Sequence, residues 1–241
     1  MHAYANPTRF LGVVRPLVPW LFWGGLALIL AGSLAGLLLA PADYLQGDSF
    51  RILYVHVPAA WLGIGGWTGI ALSSVAQIVW RHPLAAVAAR AVAVPGALFT
   101  GICLASGSLW GRPAWGTWWQ WDGRMTSMLV LLFLYIGYIA LANASAKAGE
   151  QGGASRVAAI YGIVGAVNIP IIKGSVLWWN SLHQAPSIGF TGSSIAPSML
   201  WPLGLTVIGF TLWFMAIVIF QMRAILANNR IEARLRRMAR G

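Results

Sequence analysis

The chain has 241 residues, of which 59% are hydrophobic and only 9% are charged. Soluble domains carry roughly 25% charged residues, so the composition excludes a soluble enzyme, a disordered chain and a disulfide scaffold. The net charge of +11 suggests nucleic acid, but six of the sixteen basic residues lie in the tail 223–241, directly after an apolar segment. Such a tail is typical of topology anchoring and of contact with anionic lipid. We therefore predict membrane lipid as a partner and no nucleic acid.

Long, continuous apolar runs divide the chain. Each is close to the roughly 20 residues that a helix needs to cross the hydrocarbon core, whereas a transmembrane barrel would show short alternating segments. The sequence predicts an all-α membrane protein, a bundle of six transmembrane helices that forms one domain over residues 1–241. The predicted spans are residues 20–40, 58–80, 91–109, 127–142, 157–172 and 202–221.

The basic residues predict the orientation of the bundle. An even number of spans puts both termini on one side. Twelve basic residues then lie on that side, and four lie opposite: Arg51, Arg112, Arg124 and Lys173. The positive-inside rule predicts that both termini are cytoplasmic. The segments that face outward are residues 41–57, 110–126 and 173–201.

The fifth run is short. Sixteen residues separate Arg156 from Lys173, about 24 Å of helix against a hydrocarbon core of roughly 30 Å. Either the Lys173 side chain reaches outward or the helix continues toward Trp178. Pro170 predicts a kink in this helix, and Asn168 predicts a hydrogen bond to a neighbouring helix.

The outer segment 110–126 is rich in tryptophan. Tryptophan favours the membrane interface, but a belt needs one or two residues per helix end, and this segment holds five of the fourteen in the chain. So many exposed indoles make an apolar patch of the kind that marks a binding site, and indole faces stack on a flat conjugated ligand. The pattern favours an aromatic platform over a belt. Its members are Trp110, Trp115, Trp118, Trp119 and Trp121.

Asp122 follows the last of these tryptophans, directly before the fourth run. An aspartate in this position is typical of a helix N-cap, because its side chain accepts hydrogen bonds from the first amides of the helix. It is also placed to pair with Arg124 or Arg112 and so to fix the shape of the loop.

Two histidines, His56 and His183, lie in outer segments. A lone interfacial histidine is usually structural, but two on one face beside the tryptophans point to metal ligation. Neutral imidazole is a standard ligand of haem iron, whereas zinc takes three or four protein ligands, and the outer segments hold no further His, Cys or Glu. The four outward cations are candidate partners for haem propionates.

These residues carry a resemblance to a known family. The run from 110 to 127 resembles the WWD signature of haem-handling membrane proteins. The motifs HVPAAW at residues 56–61 and WWNSLHQ at residues 178–184 resemble the histidine motifs of its six-span CcmC family, from the cytochrome c maturation system. The resemblance runs along nearly the whole chain.

The resemblance implies a haem-handling assembly factor and not an enzyme. Such a protein would bind haem b transiently at the periplasmic face of the bacterial inner membrane, through His56 and His183 as axial ligands of the iron. It would present the haem to the chaperone CcmE within an ABC-type complex that contains CcmA, CcmB and CcmD. The resemblance implies that the haem and chaperone platform consists of Trp115, Trp118, Trp119, Trp121 and Asp122. The tryptophan-rich segment and the outward cations add Trp110 and Arg124 as candidate haem-binding residues.

Two alternatives stay open at this point. A haem exporter that moves haem between its helices would need a polar path, which the scarcity of polar residues in the spans disfavours. A b-type electron-transfer subunit usually buries histidine pairs inside its spans, whereas both candidates here lie at one boundary.

Overall fold

The computed structural model describes residues 6–147, 156–179, 181–183, 187–189 and 192–239. The predicted segments 173–201 and 223–241 therefore fall partly outside the described residues. A 3₁₀ helix, Asp48–Ile52, leads directly into the helix that begins at Leu53, and two short antiparallel strands precede the last helix. The helices are α1 (Pro7–Val14), α2 (Leu17–Leu38), α3 (Leu53–Trp80), α4 (Ala85–Trp115), α5 (Gly123–Lys147), α6 (Arg156–Gly165), α7 (Asn168–Trp178) and α8 (Pro197–Met238); the strands are β1 (Ile188–Gly189) and β2 (Gly192–Ser193).

Within the described residues, six helical segments are long and apolar enough to cross a membrane, which confirms the predicted all-α, multi-pass architecture. They are α2, α3 with its 3₁₀ turn, α4, α5, α6 together with α7, and α8. Several are longer than predicted. The 31 residues of α4 span about 46 Å, against roughly 30 Å of hydrocarbon. Trp110 and Trp115 therefore lie on a helix that continues past the apolar run, and the connection to α5 is only residues 116–122.

The fifth span is two helices in series. It continues to Trp178, as one of the two predicted alternatives required, with a break at residues 166–167. Pro170 explains the break, because proline has no N–H to donate to the carbonyl of residue 166 and its ring crowds that position. Asn168 starts α7, and its Nδ2 donates to the Ser127 carbonyl of α5 over 2.9 Å. This confirms the predicted contact with a neighbouring helix.

Close packing between helices fixes the bundle. Helices α2 and α8 approach each other at two glycines: a Cβ added to Gly25 would lie 2.8 Å from the Gly209 carbonyl oxygen. At the centre, the fully buried Trp67 of α3 packs edge-on against Tyr135 of α5, with 5.0 Å between ring centroids. Such close contacts set the positions of the helices relative to one another.

Both ends of the described chain lie at one end of the bundle. Phe10 of α1 packs with Leu84 and Leu226, and Arg230 donates to the Thr8 hydroxyl over 3.4 Å. This agrees with the even number of spans. We call it the arginine end, after Arg81, Arg156, Arg236 and Arg237, which line a groove there. The opposite end is the cleft end. Which end faces the cytoplasm stays a prediction.

Candidate functional site

A cavity of about 330 Å³ opens at the cleft end of the bundle. Its walls come from the first turn of α3, the last turns of α4, the start of α5 and the segment after α7. Both predicted histidines line it, together with three more of the predicted residues: Trp110, Trp115 and Arg124. The fold thus brings His56 and His183 together, although they lie far apart in the sequence.

His183 is held by a carboxylate. Its Nδ1 lies 2.5 Å from Asp122 Oδ2, which also accepts a 2.7 Å hydrogen bond from the Ser181 hydroxyl. Asp122 Oδ1 accepts the Met125 amide over 2.8 Å. The same side chain therefore caps α5, as predicted, and orients the imidazole. The predicted pairing of Asp122 with Arg124 or Arg112 is not observed, since its side chain bonds to these groups instead.

The electrostatics of this pair favour a neutral imidazole beside an ionised carboxylate. Burial alone would raise the pKa of Asp122, but hydrogen bonds from Met125, Ser181 and His183 hold that pKa below its ordinary value. Burial lowers the pKa of His183, and the hydrogen bond to Asp122 opposes this only in part. The carboxylate accepts a hydrogen bond from the protonated Nδ1, so Nε2 keeps its lone pair.

His56 lies in the first turn of α3, not before the helix as predicted, because α3 already begins at Leu53. Its Nδ1 lies 3.0 Å from the Ser106 hydroxyl of α4. That hydroxyl donates to two backbone carbonyls of α4, Ile102 over 2.6 Å and Cys103 over 3.2 Å.

Each imidazole packs edge-to-face against one indole. Trp110 contacts His56 with 5.6 Å between ring centroids, and Trp115 contacts His183 at 4.7 Å. The Trp110 ring is fixed from behind, because its Nε1 donates to Gln46 Oε1 over 2.6 Å. The two histidines therefore have matching surroundings: a hydrogen-bond acceptor at Nδ1 and a tryptophan against the ring.

The other three tryptophans lie outside the lining of the cleft. Trp118 is 54% exposed and Trp121 is 71% exposed. Trp119 packs edge-on against Trp121, with 5.3 Å between centroids. The predicted platform is thus divided: two indoles of α4 line the cleft, and the three that follow form the adjoining loop surface.

Among the four cations predicted to face outward, only Arg124 lines the cleft. Arg51 pairs with Asp48 at 2.8 Å and donates to the Gly36 carbonyl. Arg112 donates to the Gly116 carbonyl over 2.6 Å, which closes the turn after α4.

Four polar or small residues at the site are not predicted from the sequence: Gln46, Ser106, Gly107 and Ser181. One signal was available, since Ser106 precedes Trp110 by four residues and therefore shares its helix face. Gly107 provides room, because a Cβ there would lie 3.1 Å from His56 Cε1. Gln46 and Ser181 come from loops, where no periodicity indicates direction.

The fold and the site together define a class of protein. It is a multi-pass helical membrane protein with a two-histidine, tryptophan-lined cleft at one end of its bundle. The CcmC family model, described as Heme exporter protein C, matches residues 1–237. The chain therefore belongs to the CcmC family.

Individual relatives agree with this assignment. Heme exporter protein C of Bradyrhizobium diazoefficiens is 46% identical over 230 residues, which cover 95% of this chain and 86% of the relative. The protein of the same name from Escherichia coli K12 is 43% identical over 223 residues, 92% and 89% of the two chains. A putative cytochrome c biosynthesis ccmC-like mitochondrial protein of Marchantia polymorpha is 46% identical over 164 residues, 68% of each chain.

Proposed function

We propose that this chain binds haem in the cleft and presents it, without a covalent bond, to a haem chaperone of the CcmE type during c-type cytochrome biogenesis. The observation that carries the proposal is the convergence of His56 and His183 on one cavity, each held through Nδ1. An imidazole fixed in this way offers Nε2 to a metal. The names of the relatives, which refer to heme export and cytochrome c biosynthesis, support the same cargo.

The donor set suits haem b better than a bare metal ion. Structural and catalytic zinc sites use three or four protein ligands, and the residues that the structure describes contain no group of three or more His, Cys, Asp or Glu able to hold a metal. A porphyrin brings its own four nitrogens, so its iron needs only two axial ligands, which His56 and His183 would supply.

Asp122 would strengthen one of these ligands. A carboxylate that accepts the Nδ1 proton fixes the ring orientation and makes Nε2 more basic, and such partners commonly matter 10–100-fold for metal affinity, as an order of magnitude. The aspartate of the WWD signature thus acts through His183 and is a positioning residue.

The remaining lining fits the periphery of the porphyrin. Trp110, Trp115 and the apolar side chains of Leu53 and Leu203 line the cavity, and such surfaces favour a flat conjugated ring. Arg124 is the cation placed to pair with a propionate through charge-assisted hydrogen bonds.

Presentation requires a site that can release its ligand. The chain has one cysteine, Cys103, which is buried in the bundle, so no thiol is available for a covalent link to haem. The chain would therefore act as an assembly factor and not as an enzyme. The exposed Trp118 and Trp121 beside the cleft form the surface that we assign to the chaperone. The proposal places the chain with CcmA, CcmB and CcmD in the bacterial inner membrane, with the cleft periplasmic and both termini cytoplasmic.

Haem retention by histidine variants tests the binding site. The chain and its His56→Ala and His183→Ala variants are purified in detergent, and haem per protein is measured by absorption spectroscopy. We expect at least a tenfold loss in His183→Ala, a smaller loss in His56→Ala, and no loss in His82→Ala, whose exposed side chain lies at the arginine end. Undiminished haem in both cleft variants, with unchanged melting temperatures, would contradict the assignment.

A second experiment separates presentation from export. Haem covalently attached to a co-expressed chaperone is compared with haem uptake into vesicles that contain this chain alone. Presentation predicts chaperone loading that depends on both histidines and no transport without the chaperone. Single cysteines introduced at positions 118 and 234, with the buried Cys103 replaced by alanine, report by impermeant labelling which end is periplasmic.

A further inference from the structure

We infer that Ser106 is a positioning residue for His56, and that the two histidines are unequal ligands: His183 retains the haem, and His56 is the ligand that detaches when the haem is passed on. The inference rests on the proposed function. It concerns the hydrogen-bond partners of the two rings, of which Ser106 lies outside the quoted sequence motifs.

The protonation of His56 follows from the single proton of the Ser106 hydroxyl. That proton points to the backbone of α4, where the Ile102 carbonyl lies at 2.6 Å and the Cys103 carbonyl at 3.2 Å. The hydroxyl oxygen can therefore only accept from His56 Nδ1, 3.0 Å away. Nδ1 carries the hydrogen, and the lone pair resides on Nε2.

One turn of α4 also fixes the plane of the His56 ring. Gly107 is close enough that an added Cβ would lie 3.1 Å from His56 Cε1. Trp110 packs edge-on against the same ring with an interplanar angle of 83°. We call Ser106, Gly107 and Trp110 the His56 socket. Its members face one ring because Trp110 follows Ser106 by four residues and Gly107 by three, and both spacings place residues on the same helix face.

The two rings differ in the chemistry of their partners. His183 donates to an ionised carboxylate over 2.5 Å, whereas His56 donates to a neutral hydroxyl over 3.0 Å. Hydrogen bonds to ionised acceptors are roughly twice as strong as neutral ones, and a carboxylate raises the basicity of the far nitrogen more. His183 is therefore the stronger iron ligand and His56 the weaker one.

The position of the rings adds to this difference. His56 stands on the first turn of the rigid helix α3, and its socket keeps the ring in place when no ligand is bound. The weaker bond can thus open without movement of the backbone. A ligand offered by the chaperone would replace His56 first, while His183 still holds the iron.

Exchange with free imidazole measures the weaker bond. Haem-loaded protein is titrated with imidazole, and ligand replacement is followed in the Soret band. We expect Ser106→Ala to keep at least half of its haem but to exchange about tenfold faster than the unchanged chain. Ser106→Thr, which retains the hydroxyl, should restore the original rate. Asp122→Asn should instead lose haem during purification, because it weakens the retaining ligand.

Ser127→Ala is the matched control. Ser127 is buried, and its hydroxyl donates to the Gly123 and Arg124 carbonyls over 2.6 and 3.1 Å, the same pattern as Ser106 but without a histidine. Exchange in Ser106→Ala no faster than in this control would overturn the role of Ser106. Complete loss of haem from a folded Ser106→Ala would overturn the inequality of the ligands. Haem that survives both histidine variants would instead refute the proposed function.

Discussion

The two ends of the bundle both carry cavities, but they hold their polar groups in different ways. The groove at the arginine end is the larger, about 910 Å³ against about 330 Å³, and is lined by four arginines. These side chains are exposed. At the cleft end, His56, Asp122 and His183 are shielded from solvent and bonded to fixed partners.

This difference separates attraction from positioning. Exposed charges act through a field that salt screens within about 8–10 Å, and each exposed pair contributes little. A shielded imidazole with one fixed hydrogen bond presents a lone pair in one direction, which a metal ligand requires. At these two cavities, fixed side-chain orientation therefore indicates a ligand site better than cavity volume or charge does.

The largest effect is expected at Asp122. Asparagine caps a helix as well as aspartate does, so Asp122→Asn keeps the start of α5 and removes only the charge that supports His183. We expect haem retention to fall about 10–100-fold, as measured by haem per purified protein. Asp48→Asn, at an exposed residue paired with Arg51, is the control and should retain haem. Equal retention by both variants would show that the carboxylate does not support a ligand.

The next largest effect on haem affinity is expected from the two tryptophans that line the cleft, in contrast to those on the loop surface. Trp110→Leu and Trp115→Leu remove an indole from each histidine, and we expect a loss of affinity of roughly 2–10-fold, from about 0.5–1.5 kcal/mol per aromatic contact. Trp118→Leu and Trp121→Leu should retain haem and instead lower chaperone loading. Haem titration of each variant and an attachment assay with the chaperone measure the two properties separately. The reverse pattern would place the binding platform on the loop.

A smaller effect is expected from two glycines on the same helix. Gly107→Ala places a methyl group 3.1 Å from His56 Cε1, so the ring must move by a few tenths of an ångström. Gly101→Ala meets nothing within 4 Å and is the control. We expect Gly107→Ala to lower haem affinity about two- to threefold and Gly101→Ala to leave it unchanged, as measured by haem titration. Equal affinities would mean that the socket tolerates a shifted ring.

The arginine end should have the smallest effect on haem. We expect Arg81→Gln, Arg156→Gln and Arg237→Gln, combined in one variant, to leave haem per protein unchanged. The same variant should retain less phosphatidylglycerol through purification, because each arginine near a membrane surface contributes about 1 kcal/mol to the attraction of anionic lipid. Mass spectrometry of the co-purified lipid measures this. Loss of haem in the variant would connect the two ends and contradict their separation.

The spans, their number and the two histidine-bearing segments could be predicted from the sequence, because hydrophobic runs and charge positions are local properties. Two local interactions could also be predicted from the sequence. Asp122 directly before an apolar run predicted the cap of α5, and Asn168 in an apolar run predicted a contact between helices. The WWD and histidine motifs also indicated the family.

The arrangement of side chains inside the cleft could not be predicted in this way. Ser106 is one small polar residue in an apolar run, and only the crossing of α3 and α4 shows that it faces His56. The five tryptophans look alike in sequence, but the extension of α4 to Trp115 places two of them in the cleft and leaves the others on the loop surface.

The sequence by itself determined a six-span membrane protein of the CcmC family with two histidines outside its predicted spans, because burial in lipid imposes length and hydrophobicity on every span. Only the tertiary structure decided which group holds each imidazole. Asp122 bonds to His183 and Ser106 to His56 because distant segments meet at one end of the bundle. A hydrogen bond is sensitive to changes of a few tenths of an ångström in the donor–acceptor distance. Helix packing sets that distance, whereas sequence periodicity does not.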